Sequence, residues 1–304
     1  MLNEGSELVR LLSVRTARGE TLGVAADDRW LPATDLLPGG PVMIADLLAT
    51  GAAGLNSLRA AADSAAPRIG REGRLLDETE LLSPVPRPGK VVAIGRNYRA
   101  HAAEEGVDPP TAPLIFSKWP SSVVGHGAAI RWSAELTTQV DFEAELAVVI
   151  GRAARRVTVD RALDHVLGYT CLNDVSARDL QFGDGQWVRG KSLDSFCPIG
   201  PVLLTADEIS DPQDLAISCK VSSEQMQAAS TAQMYFTVAE IISYCSAAFT
   251  LEPGDVIATG TPAGVGAFRD PPRFLSDGDV VSVEIERIGR LANVCVVEPA
   301  PVLA

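Results

Sequence analysis

Residues 140–151, VDFEAELAVVIG, set two carboxylates at the head of an apolar run, and few folds accommodate that arrangement. The run is rich in strand-favouring residues and ends in glycine, so a strand is predicted there. Side chains alternate along a strand, so Glu143 and Glu145, two apart, point to one face. A lone Glu-x-Glu is most often a solvated strand face, but this one leads straight into residues that belong in a core. Carboxylates crowded at low dielectric repel, so one takes up a proton or a cation sits between them. A third carboxylate would decide the matter. Asp174, in NDVSARD at 173–179, is the candidate, although Asn-Asp alone is ordinary turn chemistry. Three such charges around one divalent ion leave a surplus negative charge and open positions for a substrate. Histidine occurs only at 101, 126 and 165, so oxygen ligation of Mg²⁺ or Mn²⁺ fits better than zinc or copper.

The rest of the chain says where that strand belongs. A Pro-rich passage, SPVPRPG at 83–89, lacks several backbone donors and resists helix, which predicts a small N-terminal domain at 1–82 and a larger one at 83–304. The 304-residue length suits one large domain or two unequal ones at about 150 residues each. The first part holds an Ala-rich segment, 45–66, readable as one or two helices around Gly51 and Gly54. Beyond the border, strands are predicted at 90–95 (KVVAIG), 146–151, 256–260 (VIATG) and 280–286 (VVSVEIE), the last pairing with 291–297 across Ile288-Gly289. Helices are expected at 159–167 and 237–249, the second opened by the capping box Thr237 to Glu240. Without regular βαβ alternation the fold class is α+β and strand-dominated, not a Rossmann sheet or a TIM barrel.

Composition narrows the partners. Lys plus Arg number 26 against 39 Asp plus Glu, a net charge of −13 with no basic block, so nucleic acid is not expected. No apolar run reaches the roughly 18 residues of a membrane span, and MLNEGSELVR lacks the basic-then-apolar order of a leader. The expectation is a cytoplasmic protein that touches no membrane. Its cysteines, at 171, 197, 219, 245 and 295, form no C-x-x-C pair and read as reduced, packed thiols.

Three further stretches could carry chemistry. In IGRNYRAHAAEEG, His101 and Glu104 are three apart and share a helical face, where a carboxylate can fix the imidazole tautomer for water activation. A surface pair is the commoner meaning of any single His-x-x-Glu. Lys191, in GKSLDSFCPIGP, is a lone lysine among small and apolar residues, equally a snorkelling turn residue or a ligand-facing one. TGTPAGVG, 259–266, is a small-residue turn whose backbone could approach an anion, but it is no dinucleotide fingerprint.

Taken together, IGRNYRAHAAE, PLIFSKWPSSVVG, VDFEAELAVVIG, GYTCLNDVSARDLQ, GKSLDSFCPIGP and LEPGDVIATGTPAGVG resemble the fumarylacetoacetate hydrolase family over about residues 90–295. The resemblance implies a mixed β-sandwich roll with short helices, usually dimeric, behind a variable N-terminal domain. It implies Glu143, Glu145 and Asp174 as ligands of Mg²⁺ or Mn²⁺, His101 and Glu104 as a water-activating dyad on a segment that orders over substrate, and Lys191 as the active-site lysine. Arg178, Gln181 and Thr261 match positions that contact carboxylate or keto groups. The 264–275 stretch is similar to members with a longer loop before the last strands. The activity expected is metal-dependent C–C hydrolysis of a 2,4-dioxo acid of the acylpyruvate type to pyruvate and a carboxylic acid. Two alternatives stand beside it: oxaloacetate decarboxylation or hydroxy-dienoate isomerisation at the same site, and a catalytically silent dimer that binds dicarboxylates.

Overall fold

The computed structural model describes residues 9–299. Residues 1–8, on which the leader-peptide reading partly rests, lie outside the described residues. An 11-stranded mixed sheet forms the frame. Across it lie Arg74–Leu75, Arg29–Pro32, Gly19–Ala26, Arg10–Thr16, Cys197–Thr205, Val166–Asn173, Ala144–Ile150, Val256–Ala258, Val91–Gly95 and Leu114–Lys118, with Val123–Val124 beside the start of Cys197–Thr205. A five-stranded sheet of Glu224–Ser230, Ala216–Val221, Val280–Ile285, Gly289–Glu298 and Ile130–Ser133 packs on one face.

The two faces of the large sheet are read from one strand. Leu146, Val148 and Ile150 enter the core shared with Ile217, Val283 and Leu291 of the smaller sheet. Ala147 and Val149 point the other way, into a core with Leu47 and Leu58 of the long helix Ile44–Glu72. Glu143 and Glu145 share the parity of Ala147 and Val149, so the acids occupy one end of the face whose other end the N-terminal helix covers.

Several elements depart from the sequence expectation for identifiable reasons. The strand predicted to run through Glu143 breaks after Val140–Asp141 and resumes at Ala144. Side chains capture the intervening donors: Phe142 N donates to Asp141 Oδ1 at 2.8 Å and Glu143 N to Asn173 Oδ1 at 3.0 Å. The helix expected at 159–167 is shorter, Val159–Ala162 followed by a 3-10 turn at Leu163–His165, because pairing with Ile150 draws Val166 into a strand. The Ala-rich segment lies in two helical stretches of Ile44–Glu72 that meet at a kink at Gly51, whose φ of 62° is not helical. The helix Val238–Ala248 begins at Thr237 with the expected capping box to Glu240.

The border drawn after residue 82 falls between Arg74–Leu75 and Val91–Gly95. The N-terminal strands join the large sheet, with Arg10 opposite Leu204 and Leu11 opposite Leu203. Among the described residues no helix is long and apolar enough to cross a membrane, and all five cysteines are buried and unpaired.

Candidate metal and acid-base site

Antiparallel pairing of Ala144–Ile150 with Val166–Asn173 sets Ala144 opposite Asn173, and the next pair outward is Glu143 and Asp174. Asp174 N donates to Glu143 O at 2.9 Å, which locks that corner. Glu145 joins them from one turn of the pleat further in. The ligand atoms of Glu143, Glu145 and Asp174 lie within 4.8 Å of one another, and all three residues are buried.

Cations close around the acids. Lys191 Nζ, on the helix Val188–Lys191, donates to Glu143 Oε2 at 2.8 Å and Asp174 Oδ2 at 2.9 Å. Arg178 opens the helix Arg178–Asp184 and pairs with Glu143 at 2.8 Å and with Asp141 through Nε at 2.9 Å. Its Nη1 also donates to Gln181 Oε1 at 3.0 Å, while its buried Nη2 has no partner among the described residues. Lys118, fully buried, reaches Asp174 Oδ1 at 2.5 Å and donates to the carbonyl oxygens of Val175 and Lys191. Four carboxylates, at 141, 143, 145 and 174, thus face three cations, at 118, 178 and 191, with one negative charge in excess.

That excess has an address. Burial and then the charges of Asp174 and Glu143 hold the Glu145 carboxyl well above the usual range. Burial acts the same way on Glu143, but Lys191, Arg178 and His101 outweigh it and keep that carboxylate ionised. A dry trio of carboxylates with one acid pushed toward protonation is a donor set that a divalent oxygen-seeking cation would relieve, so these residues fit Mg²⁺ or Mn²⁺.

The second half of the site is the short segment that carries His101, which the family resemblance reads as a lid. Asn97 anchors it: its Nδ2 donates to Thr259 O and Phe236 O, and its Oδ1 accepts from Phe236 N. The short helix Arg99–Glu104 follows, with His101 only 4% exposed. His101 Nδ1 meets Glu104 Oε2 at 3.0 Å, and Glu104 Oε1 accepts from Gly264 N at 2.9 Å, tying the lid to the TPAGVG turn. Phe268 packs 6.2 Å from the imidazole, centre to centre. Burial depresses the His101 imidazolium, but hydrogen bonds to Glu104 and Glu105 and the charge on Glu143 prevail and lift it to about 9.

The turn after Val256–Ala258 supplies the floor. Gly260 N donates to Glu145 Oε2 at 2.7 Å from a backbone at φ 102°, where a Cβ would lie 2.7 Å from Asn97 Cβ. Thr261 Oγ1 accepts from Gln227 Nε2 at 2.8 Å, and Gln227 Oε1 accepts from Ala144 N. All nine residues named from the sequence therefore fall in this site or on its lid. Lys118, Asp141, Gln227 and Glu105 went unassigned. Asp141 matters because it takes Arg178 Nε on one oxygen and Gly266 and Ala267 N–H groups besides, coupling the arginine to the loop that carries Phe268. The two other histidines have structural partners, His165 at Arg152 O and His126 at Ala292 N.

The family model described as Fumarylacetoacetate (FAA) hydrolase C-terminal matches residues 90–296. The chain is 43% identical over 258 residues to a mitochondrial oxaloacetate tautomerase of Xenopus laevis, covering 84% of this chain and 79% of that protein. It is 46% identical over 221 residues to the oxaloacetate tautomerase YisK of Bacillus subtilis (strain 168), covering 72% and 73%. Among solved structures, a fumarylacetoacetate hydrolase from Exiguobacterium antarcticum superposes at TM-score 0.79 with 36% identity, over 95% of this chain and 100% of that one. A 2-hydroxyhepta-2,4-diene-1,7-dioate isomerase from Mycobacterium marinum does so at 0.73 with 34% identity, over 95% and 99%.

Proposed function

Because the chain belongs to the fumarylacetoacetate hydrolase family, we propose that it interconverts the enol and keto forms of a 2-oxo dicarboxylate of the oxaloacetate type. The observation that carries the reading is the charge balance around Glu143, Glu145 and Asp174: one negative charge in excess, beside an unpartnered donor on Arg178. Those three carboxylates would hold Mg²⁺ or Mn²⁺, which when bound supplies Lewis-acid polarisation of the 2-oxo group and its neighbouring carboxylate.

The chain's own groups do the rest. Arg178 Nη2 donates to the substrate carboxylate, and Lys191 Nζ stabilises negative charge on the enol oxygen. His101, an imidazolium held in the lid, delivers a proton to C3; the enol O–H proton then restores it, so the sum is an isomerisation with no co-reactant. His101 is 4% exposed with Phe268 beside it, an environment that would limit the access of bulk water to the reacting carbon.

Acylpyruvate hydrolysis has less support. The two curated relatives described above carry oxaloacetate in their names, and His101, held as an imidazolium by Glu104 and Glu105, has a proton to give but no lone pair with which to activate a water. The same proposal includes a cytoplasmic homodimer, which light scattering on the purified protein tests.

The deciding experiment follows the ultraviolet absorbance of enol-oxaloacetate with metal-stripped protein, then with Mg²⁺ or Mn²⁺ restored, while CO₂ and pyruvate are quantified. Metal-dependent loss of enol absorbance without CO₂ supports tautomerisation. Stoichiometric CO₂ and pyruvate make the protein a decarboxylase. Free acid and pyruvate from an acylpyruvate, with oxaloacetate untouched, would reinstate hydrolysis, and inertness toward both with dicarboxylate binding intact would leave a silent binder.

A further inference from the structure

One imidazole in the lid is shared between two carboxylates that are anchored differently. Glu104 holds His101 Nδ1 and is pinned by Gly264 N, within the turn that also carries Thr261. Glu105 holds Nε2 at 3.0 Å, and its other oxygen accepts from Arg96 Nε at 2.8 Å. Both ring nitrogens are therefore engaged. Proton transfer to a substrate carbon requires one partner to leave, and the anchoring shows which.

Arg96 is placed for that exchange. It sits at φ 58°, a left-handed backbone that a side-chain-bearing residue adopts at a cost, immediately ahead of the lid. Its guanidinium lies 5.5 Å from the centre of the Trp187 ring and is about one-third exposed. Arg96, Leu114, Phe116, Gln186 and Trp187 line a cavity of about 850 Å³. Phe116 lines that cavity and its ring lies 5.2 Å from Lys191 Nζ, so the cavity and the acidic site are neighbours. The charged groups facing His101 are Glu104 and Glu105 from its own segment and Glu143 from the sheet, with Arg96 acting through Glu105.

We propose that Arg96 and Glu105 form a latch on His101 that the second carboxylate of a dicarboxylate substrate opens. The incoming carboxylate displaces Glu105 from Arg96, Glu105 withdraws from Nε2, and the Nε2–H turns to the substrate while Glu104 keeps its hold on Nδ1–H. Glu105 is thus a positioning residue and Arg96 the element that recognises the distal carboxylate. A monocarboxylate, satisfied at Arg178, leaves the latch shut. This inference rests on the tautomerase reading for its catalytic consequence but not for the latch itself.

Two measurements on the Mg²⁺-loaded protein test it. The first is the His101 Nε2–H proton resonance, assigned among only three histidines by its loss in His101→Gln. Malonate, an unreactive dicarboxylate, is expected to move this resonance in the native protein, whereas acetate at equal concentration is not. Neither Glu105→Gln nor Arg96→Met should show the malonate response. The second is the steady-state split for oxaloacetate: Glu105→Gln lowers KM and Arg96→Met raises it, each by about tenfold with a smaller change in kcat, as expected for one charge-assisted contact. A malonate response that survives in both variants, or one that acetate reproduces, overturns the latch, as does an unchanged KM in both. Absence of oxaloacetate turnover in the native protein overturns the proposed function and leaves the resonance test of the latch standing.

Discussion

The N-terminal part and the site-bearing part are stabilised by opposite means. Around the long helix Ile44–Glu72 the interior is apolar, built from Leu11, Leu22, Leu47 and Leu58, and the charges lie outside in exposed pairs such as Arg15 with Glu80 and Arg68 with Glu72. At the acidic end of the same sheet, Lys118, Asp141, Asp174, Arg178 and Lys191 are all essentially inaccessible. Exposed pairs contribute little, whereas buried ions lose several kcal/mol of hydration each and repay it only when every lone pair is met. Instead of an apolar end, four carboxyl groups and three basic ones are kept dry beside the sheet, with Glu145 pushed toward protonation. The contrast teaches that stability is made at one end of the sheet and chemistry at the other.

Breaking the charged end should have the largest effect. Glu143→Ala removes a proposed metal ligand and leaves Lys191 and Arg178 short of a counter-charge; turnover should vanish, and calorimetric titration should show no specific Mn²⁺ binding. Undiminished turnover would refute the ligand assignment. At the apolar end, Leu58→Ala hollows out a fully buried site and should cost about 2–5 kcal/mol in urea unfolding while leaving kcat near its native value.

A smaller effect separates the lid from both. The His101 imidazolium titrates near 9 in the fold against an ordinary 6.5, so its contribution to stability is fully present below pH 6.5 and is lost as pH rises through about 9. The stability advantage of the native protein over His101→Gln should shrink across that interval, as read by urea unfolding at a series of pH values. The smallest change belongs to Arg15→Ala, whose partner is itself largely exposed; about 0.5 kcal/mol or less is expected, and a larger loss would erase the distinction drawn between the two ends.

The sequence exposed the residues whose chemistry coincides with a pattern. Glu143 and Glu145 were legible because strand alternation aligns them, and His101 with Glu104 because helical spacing does. Asp174 could be paired with them only conditionally, since the antiparallel register that sets it beside Glu143 is a long-range fact. Lys118 escaped assignment although it stands inside the quoted PLIFSKWPSSVVG: one lysine at the end of an apolar strand has no spacing partner to betray it. Gln227 acts from a hairpin more than eighty residues beyond the strand it braces at Ala144. The break at Phe142 and Glu143 was invisible for a related reason, because Asn173, which captures the Glu143 N–H, comes from the neighbouring strand. In the same way the proline-rich passage marks a change in texture, but only backbone pairing of Leu11 with Leu203 reveals that the strands before it join the sheet.

That pairing has a further consequence for how the molecule meets its neighbours. Cys197–Thr205 has Val166–Asn173 on one side, and the strand Arg10–Thr16 occupies the other. Stripped of the first strands, Leu203 and Leu204 would offer unused amide and carbonyl groups on an apolar ribbon, the geometry through which chains zip into aggregates. The N-terminal strands therefore serve as an edge guard, and a version trimmed to start at the proline-rich passage is expected to cross-associate through that ribbon even with every site residue in place.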